Sequence, residues 1–223
     1  MAPIEVPRRA TPPTFYLLAG PNGAGKSTLY RALVEEGLIS SELEFVNADV
    51  YEREALSHVR DARARSAAAR EWADGRRARL LREGRSFVSE TVFSHPSKLA
   101  LIRDAQKAGL LVVLIVVAMD GPERLIARVA QRVSEGGHDV PVDKILERYP
   151  RTLANLGTAV RLADMALLYD SQDVAPGTHA LVATCRSDTT RVLCQPLPAW
   201  AAGVLGLTPS TPRSRSPSPA RRG

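Results

Sequence analysis

The stretch Gly20-Pro21-Asn22-Gly23-Ala24-Gly25-Lys26-Ser27 reads G-x-x-x-x-G-K-S and runs on into Thr28. A loop of this kind works only between a strand and a helix. Its backbone N–H groups must converge on one anion, while the helix N-terminus adds partial positive charge at the same spot. Both flanks are present, an apolar run over 14–19 and a helix-forming run over 28–35. The glycines give the backbone the freedom to make the turn. Lys26 is placed to reach the β- and γ-phosphates of a nucleotide, and the Ser27 hydroxyl to hold Mg²⁺. Residues Gly20 to Thr28 are therefore the expected nucleotide site. The competing reading is a glycine-rich turn with a surface lysine, which would weaken the chain beside a core strand with no compensating use.

Strand and helix patterns alternate along the rest of the chain. Extended, apolar runs cover 14–19, 44–48, 86–90, 110–118 and 165–169, and helical patterns cover about 26–36, 50–83, 96–108, 122–134 and 142–162. Gly37, Gly84 and Gly109 stop three of the helices. Two further extended runs, 179–185 and 190–195, read as a hairpin, and a short helix near 199–205 closes the domain. The alternation predicts an α/β protein with helices on both faces of a parallel sheet. With the loop at 20–28, the expected architecture is a P-loop kinase-type three-layer sandwich. Its five-stranded parallel sheet would be ordered 2-3-1-4-5 and carry a helical lid. The boundaries read as a flexible segment over 1–13, one domain over 14–206 and a disordered Ser/Pro/Arg tail over 207–223.

Charge tempts a different reading. The chain of 223 residues has a net charge of +6, which fits a nucleic-acid binder. Yet Arg213, Arg215, Arg221 and Arg222 lie in the acid-free tail and account for four of those six charges. Nucleic acid is thus not the expected partner of the body. A second excess, nine Arg against four acids, lies in 60–85. It reads as a solvated helix face or as a field that attracts an anionic substrate. The most apolar segment, Leu110 to Ala118, is about half the length of a membrane span and reads as a strand buried on both faces. The first 13 residues lack the apolar core of a signal peptide, so a soluble, cytoplasmic protein is expected. Cys185 and Cys194 fit a reducing compartment, as two separate thiols rather than a pair facing across the hairpin.

In open α/β sheets ligands bind beyond the carboxyl ends of the strands. Acids stand there: Asp49, Glu90, Asp170 and, two residues past the fourth strand, Asp120. Phosphoryl transfer needs a metal anchor, a group that receives or orients the acceptor hydroxyl, and cations against the transferred charge. Asp49 reads as general base for a substrate hydroxyl, the competing role being the N-cap of the following helix. Glu90 reads as an organiser of Mg²⁺ through water or as a ligand for a substrate hydroxyl, with Thr91 adding a polar contact; a turn or cap role competes. Asp120 reads as an N-cap beside Pro122.

Arg128 and Arg132 are four residues apart and share one helix face just before Gly136-Gly137-His138. A hinged flap there would carry arginine forks over the phosphates. The competing reading is a solvated helix. Arg148, Tyr149 and Arg151 follow on the return helix. His138 is a candidate contact to phosphate or substrate, or simply a structural loop histidine.

Together, Gly20 to Thr28, Asn47-Ala48-Asp49, Glu90-Thr91-Val92-Phe93-Ser94, Arg128 with Arg132, Gly136-Gly137-His138 with Val140-Pro141, Arg148-Tyr149 and Asp170-Ser171 resemble the zeta toxin family, over about residues 14–175. The Gly-Gly-His lid is similar to that of a compact bacterial subgroup. Gln172 stands in a triplet that is usually Asp-Asn-Ser. The resemblance implies a kinase that uses ATP or GTP with Mg²⁺ to phosphorylate the amino-sugar 3′-hydroxyl of UDP-N-acetylglucosamine, and it implies an antitoxin as partner. It further implies Asp49 as the acceptor-activating group, Lys26 and Ser27 as the P-loop pair, and Arg128 and Arg132 as the lid arginines. Glu90 and Thr91 would face the sugar nucleotide.

Other P-loop readings stay open. One is a phosphotransferase for a nucleoside, antibiotic or metabolite, which differs only in its acceptor pocket. Another is a nucleotide-gated switch. An ABC-type ATPase is disfavoured, because no Leu-Ser-Gly-Gly-Gln stretch and no apolar run closing in Asp-Glu occurs.

Overall fold

A computed structural model describes residues 12–134, 140–172, 178–187 and 189–208. Of the segments expected over 1–13 and 207–223, residues 1–11 and 209–223 lie outside the described residues, as do Gly136, Gly137 and His138.

The sheet is built on β1 (Thr14–Ala19) and β4 (Leu111–Ala118), which pair in parallel. β4 is buried on both faces, which is why its sequence is apolar without alternation. Its side chains nevertheless divide by the two-residue strand period. Val112, Leu114, Val116 and Ala118 join one core, and Ile115 and Val117 join the other. On the first face lie α3 (Ala62–Arg82), α4 (Leu99–Lys107), α6 (Val142–Leu162) and α7 (Ala199–Leu205). On the second lie α1 (Lys26–Glu35) and α5 (Pro122–Ser134). The result is three layers.

With β2 (Glu44–Val46), β3 (Phe87–Thr91) and β5 (Met165–Asp170) added, the parallel strands run β2-β3-β1-β4-β5, the order expected from sequence. The sheet does not stop there. β6 (Ala180–Arg186) pairs antiparallel with β5, and β7 (Thr189–Val192) pairs antiparallel with β6, giving seven strands among the described residues. The hairpin read from sequence is thus an extension of the sheet, since its first strand turns straight back along β5. Cys185 stands opposite Thr190 in the β6–β7 register, and both cysteines are free thiols.

The single helix expected over 50–83 is two. α2 (Ala48–Ala55) begins as soon as Asn47 caps it, which also shortens β2. The Asp61 side chain accepts from Ala64 N and starts α3 anew. Glu52, buried on α2, accepts from Arg65 and Ser66 of α3 and fixes the elbow. Downstream, the helix expected from Pro96 starts as one 3₁₀ turn and becomes α4 at Leu99.

Just past β3 the chain turns a corner in which Phe93 takes φ 62° while only 1% exposed. A left-handed backbone costs roughly 1–2 kcal/mol for a residue with a Cβ. No helix among the described residues is long and apolar enough to cross a membrane.

Candidate active site

The loop between β1 and α1 has the geometry that an anion cradle requires. At Gly20, with φ 154°, a Cβ would lie 2.0 Å from Val117 O, so no other residue fits. Gly25 caps α1 in the left-handed region, φ 89°, and a Cβ there would stand 2.8 Å from His179 Nε2.

Lys26 is 6% exposed. Its Nζ donates to Pro21 O at 3.0 Å and lies 3.7 Å from Glu90 Oε1. Burial pushes the ammonium below its ordinary pKa, opposed by the charges of Glu90 and Asp49 and assisted by Arg132. Two carboxylates and one arginine of α5 therefore act electrostatically on the same nitrogen. The Ser27 hydroxyl donates to Glu90 Oε2 at 2.8 Å, and Asn47 Nδ2 donates to that oxygen at 3.0 Å. Asn47 Oδ1 in turn accepts from Asp49 N at 2.8 Å and from Val50 N at 3.2 Å. Asn47, 5% exposed, thus holds Glu90 with one end and caps the helix that presents Asp49 with the other. The N-cap role considered for Asp49 belongs to Asn47 instead, and Asp49 is exposed in the first turn of α2.

A buried pin stands behind this pair. Ser89 Oγ donates to Val46 O at 2.8 Å and accepts from Arg77 Nη1 at 3.1 Å. The ends of β2 and β3, which carry Asn47 and Glu90, are fastened to each other and to α3. Ser27 and Glu90 are hard oxygen donors placed side by side, the kind of set that holds Mg²⁺ when substrate phosphates and water complete the shell. Among the described residues no group of three or more His, Cys, Asp and Glu forms a separate metal site.

The other strand ends serve a different purpose. Asp120 accepts from Ala199 N at 3.1 Å and Trp200 N at 2.6 Å. It caps α7, because that helix docks with its bare N–H groups on the end of β4. Asp170 accepts from Trp200 Nε1 at 2.7 Å and from Gln172 N at 3.1 Å. Arg128 donates to Ser171 O at the end of β5. Burial lowers its pKa, with Asp170 pulling the other way and Arg124 adding to the fall. Thr91 Oγ1 accepts from Phe93 N at 3.4 Å.

Sequence reasoning passed over Asn47 as a site residue, although an Asn just before a helix start is a cap signal. It also passed over His179, whose ring lies against Gly25 and whose pKa burial and Arg128 both depress. A lone His at the start of an extended run carries no signal in one sequence.

A family model described as Zeta toxin matches residues 3–174. The chain belongs to the zeta toxin family. Solved structures share the family's fold with it. One is the AvrRxo1-ORF1:-ORF2 crystal structure with ATP, 20% identical, with 82% of this chain and 61% of that chain covered at a TM-score of 0.63. The chain therefore spans about three fifths of that protein's length. Another is the PezAT chromosomal toxin–antitoxin system of Streptococcus pneumoniae, 16% identical, with 73% and 70% covered at a TM-score of 0.54. No curated protein matches the chain.

Proposed function

We propose that this zeta toxin family member is a P-loop kinase that transfers the γ-phosphoryl group of ATP or GTP, with Mg²⁺, to a hydroxyl of a small molecule. UDP-N-acetylglucosamine is the acceptor that membership of the family favours. The observation that carries the reading is the single cluster formed by Lys26, Ser27, Glu90, Asn47 and Asp49 at the mouth of the phosphate loop. A purely nucleotide-gated switch has no need of an exposed carboxylate at that spot.

Phosphoryl transfer proceeds through a loose transition state, so catalysis is positioning and charge stabilisation. Backbone N–H groups over Gly20 to Thr28 seat the β- and γ-phosphates, and Lys26 leaves Pro21 O to meet them. Ser27 and Glu90 would hold Mg²⁺, which would supply positive charge against the phosphates. Asp49, open to solvent, receives the proton of the attacking hydroxyl. Arg132 supplies a fork to the equatorial oxygens, and Arg128 closes the nucleotide side. Thr91 and Glu90 line the acceptor side, and His138 is a candidate contact there. The AvrRxo1-ORF1:-ORF2 crystal with ATP supports the nucleotide. The PezAT toxin–antitoxin system supports an antitoxin as protein partner.

The test is product analysis. The protein is incubated with γ-labelled ATP or GTP, Mg²⁺ and a panel of sugar nucleotides, nucleosides and aminoglycosides. Label appearing on UDP-N-acetylglucosamine is the expected result. Label on another member moves the acceptor assignment, and release of free phosphate alone would sink the kinase reading in favour of a switch.

A further inference from the structure

We infer that Thr152 and Asn155 of α6 are positioning residues for the acceptor, acting through the corner that follows Glu90. The inference rests on the kinase reading above and names what shapes the acceptor side of that site. β3 stops pairing at Thr91, opposite Ala19. From there, side chains take over the backbone groups that the sheet no longer holds. Thr152 Oγ1, on a residue with 0% exposure, donates to Val92 O at 3.3 Å. Asn155 Nδ2 donates to Phe93 O at 3.0 Å. Thr91 Oγ1 accepts from Phe93 N at 3.4 Å.

The two α6 side chains are three positions apart, so they lie on one helix face and converge on two consecutive carbonyls. Between them Phe93 is kept left-handed with its ring in the core, where a glycine would have made the turn without strain. A strained residue at such a place persists only when its surroundings over-determine it. The same helix is fastened to the end of β4 by Tyr149 Oη, which donates to Met119 O at 2.8 Å. α6 therefore fixes the chain direction between Glu90, which is bonded to Ser27, and Ser94. Thr91 and Ser94 can face a sugar nucleotide only while that direction is kept. Residues of the phosphate loop take no part in the clamp, so its loss falls on the acceptor and not on the nucleotide.

The test compares Thr152→Val, which removes the hydroxyl at nearly constant volume, with Thr152→Ser, which keeps it, and with Asn155→Asp, which replaces the donor by an oxygen. Transfer is measured on UDP-N-acetylglucosamine, or on the panel member that the wild type phosphorylates, and ATP affinity is titrated separately without acceptor. We expect the acceptor KM to rise about tenfold or more in Thr152→Val and Asn155→Asp, the consequence of an unsatisfied carbonyl. Thr152→Ser should stay close to wild type, and ATP affinity should hold within about twofold in all three. Asn155 is half-buried, so Asn155→Asp keeps the test alive should Thr152→Val fail to fold. An unchanged acceptor KM in a folded variant, or a parallel loss of ATP affinity, overturns the positioning role and leaves the kinase reading standing. A wild type that phosphorylates no panel member overturns both.

Discussion

Two halves of one rim use the same residue type for opposite ends. Acids stand at the carboxyl ends of β2 and β3 on one side and of β4 and β5 on the other. On the β4–β5 side they are consumed by the fold. Asp120 takes the bare N–H groups of α7, and Asp170 takes the indole of Trp200. On the β2–β3 side Glu90 is held by Asn47 and the Ser27 hydroxyl, and Asp49 stays open. What separates the halves is the nearest donor. Where a late helix arrives with unsatisfied backbone donors, a strand-end acid becomes a cap. Where the nearest donors are Asn47 and the Ser27 hydroxyl, the acid stays beside the phosphate loop.

The sharpest way to break this division is at Lys26, the cation between the halves. Lys26→Ala should abolish measurable turnover, because on the kinase reading its ammonium is the charge that positions the β- and γ-phosphates for transfer. Next comes Asp49→Ala, which should cut kcat by ~10²–10⁴ with nucleotide affinity unchanged if the carboxylate receives the acceptor proton. Full activity in that variant would mean that the β2–β3 half is as structural as the other. Arg132→Lys should also slow transfer, more in kcat than in nucleotide affinity, since a point charge does not replace a planar fork.

The opposite arm of the comparison is Asp120→Ala. Losing a helix cap costs about 1 kcal/mol. That corresponds to a fall of roughly 2–4 °C in Tm for a chain of this size. The kcat should stay at the wild-type level. Thermal melts and initial rates on the same preparation check both halves of that statement, and a large loss of kcat with no change in Tm would move Asp120 into the site.

What could be read beforehand follows the same line. The phosphate loop was legible because all its parts are contiguous and its flanks are strand and helix. The places of Asp49 and Glu90 on the rim were legible, because Glu90 lies at the end of β3 and Asp49 follows shortly after β2. The fates of Asp120 and Asp170 were not, because they depend on Trp200, which lies 80 and 30 positions away along the chain. No local pattern announces that docking. The break between α2 and α3 was hidden by an Arg- and Ala-rich run of high helix propensity. Asp61 overrides that propensity as a cap, backed by the buried Glu52. The two extra strands were expected as a hairpin, but their joining the sheet was hidden, because a hairpin and a sheet extension have the same local sequence. Only the register of β6 against β5 tells them apart.

The smallest effect concerns the proton on Lys26. In the free protein burial holds its pKa below the ordinary lysine value, more strongly than Glu90 and Asp49 can restore it. Bound phosphates add negative charge beside the same ammonium and raise that pKa. A group whose pKa rises on binding takes up protons at pH values between its free and bound constants, and affinity falls as pH rises through that window. Nucleotide binding should therefore take up a fraction of a proton on the alkaline side. Titration calorimetry in two buffers of different ionisation enthalpy reads that fraction directly. Lys26→Met should abolish it, whereas Asp120→Ala should leave it intact. An uptake that survives Lys26→Met would place the titrating group elsewhere, with His179 against Gly25 next to be tested.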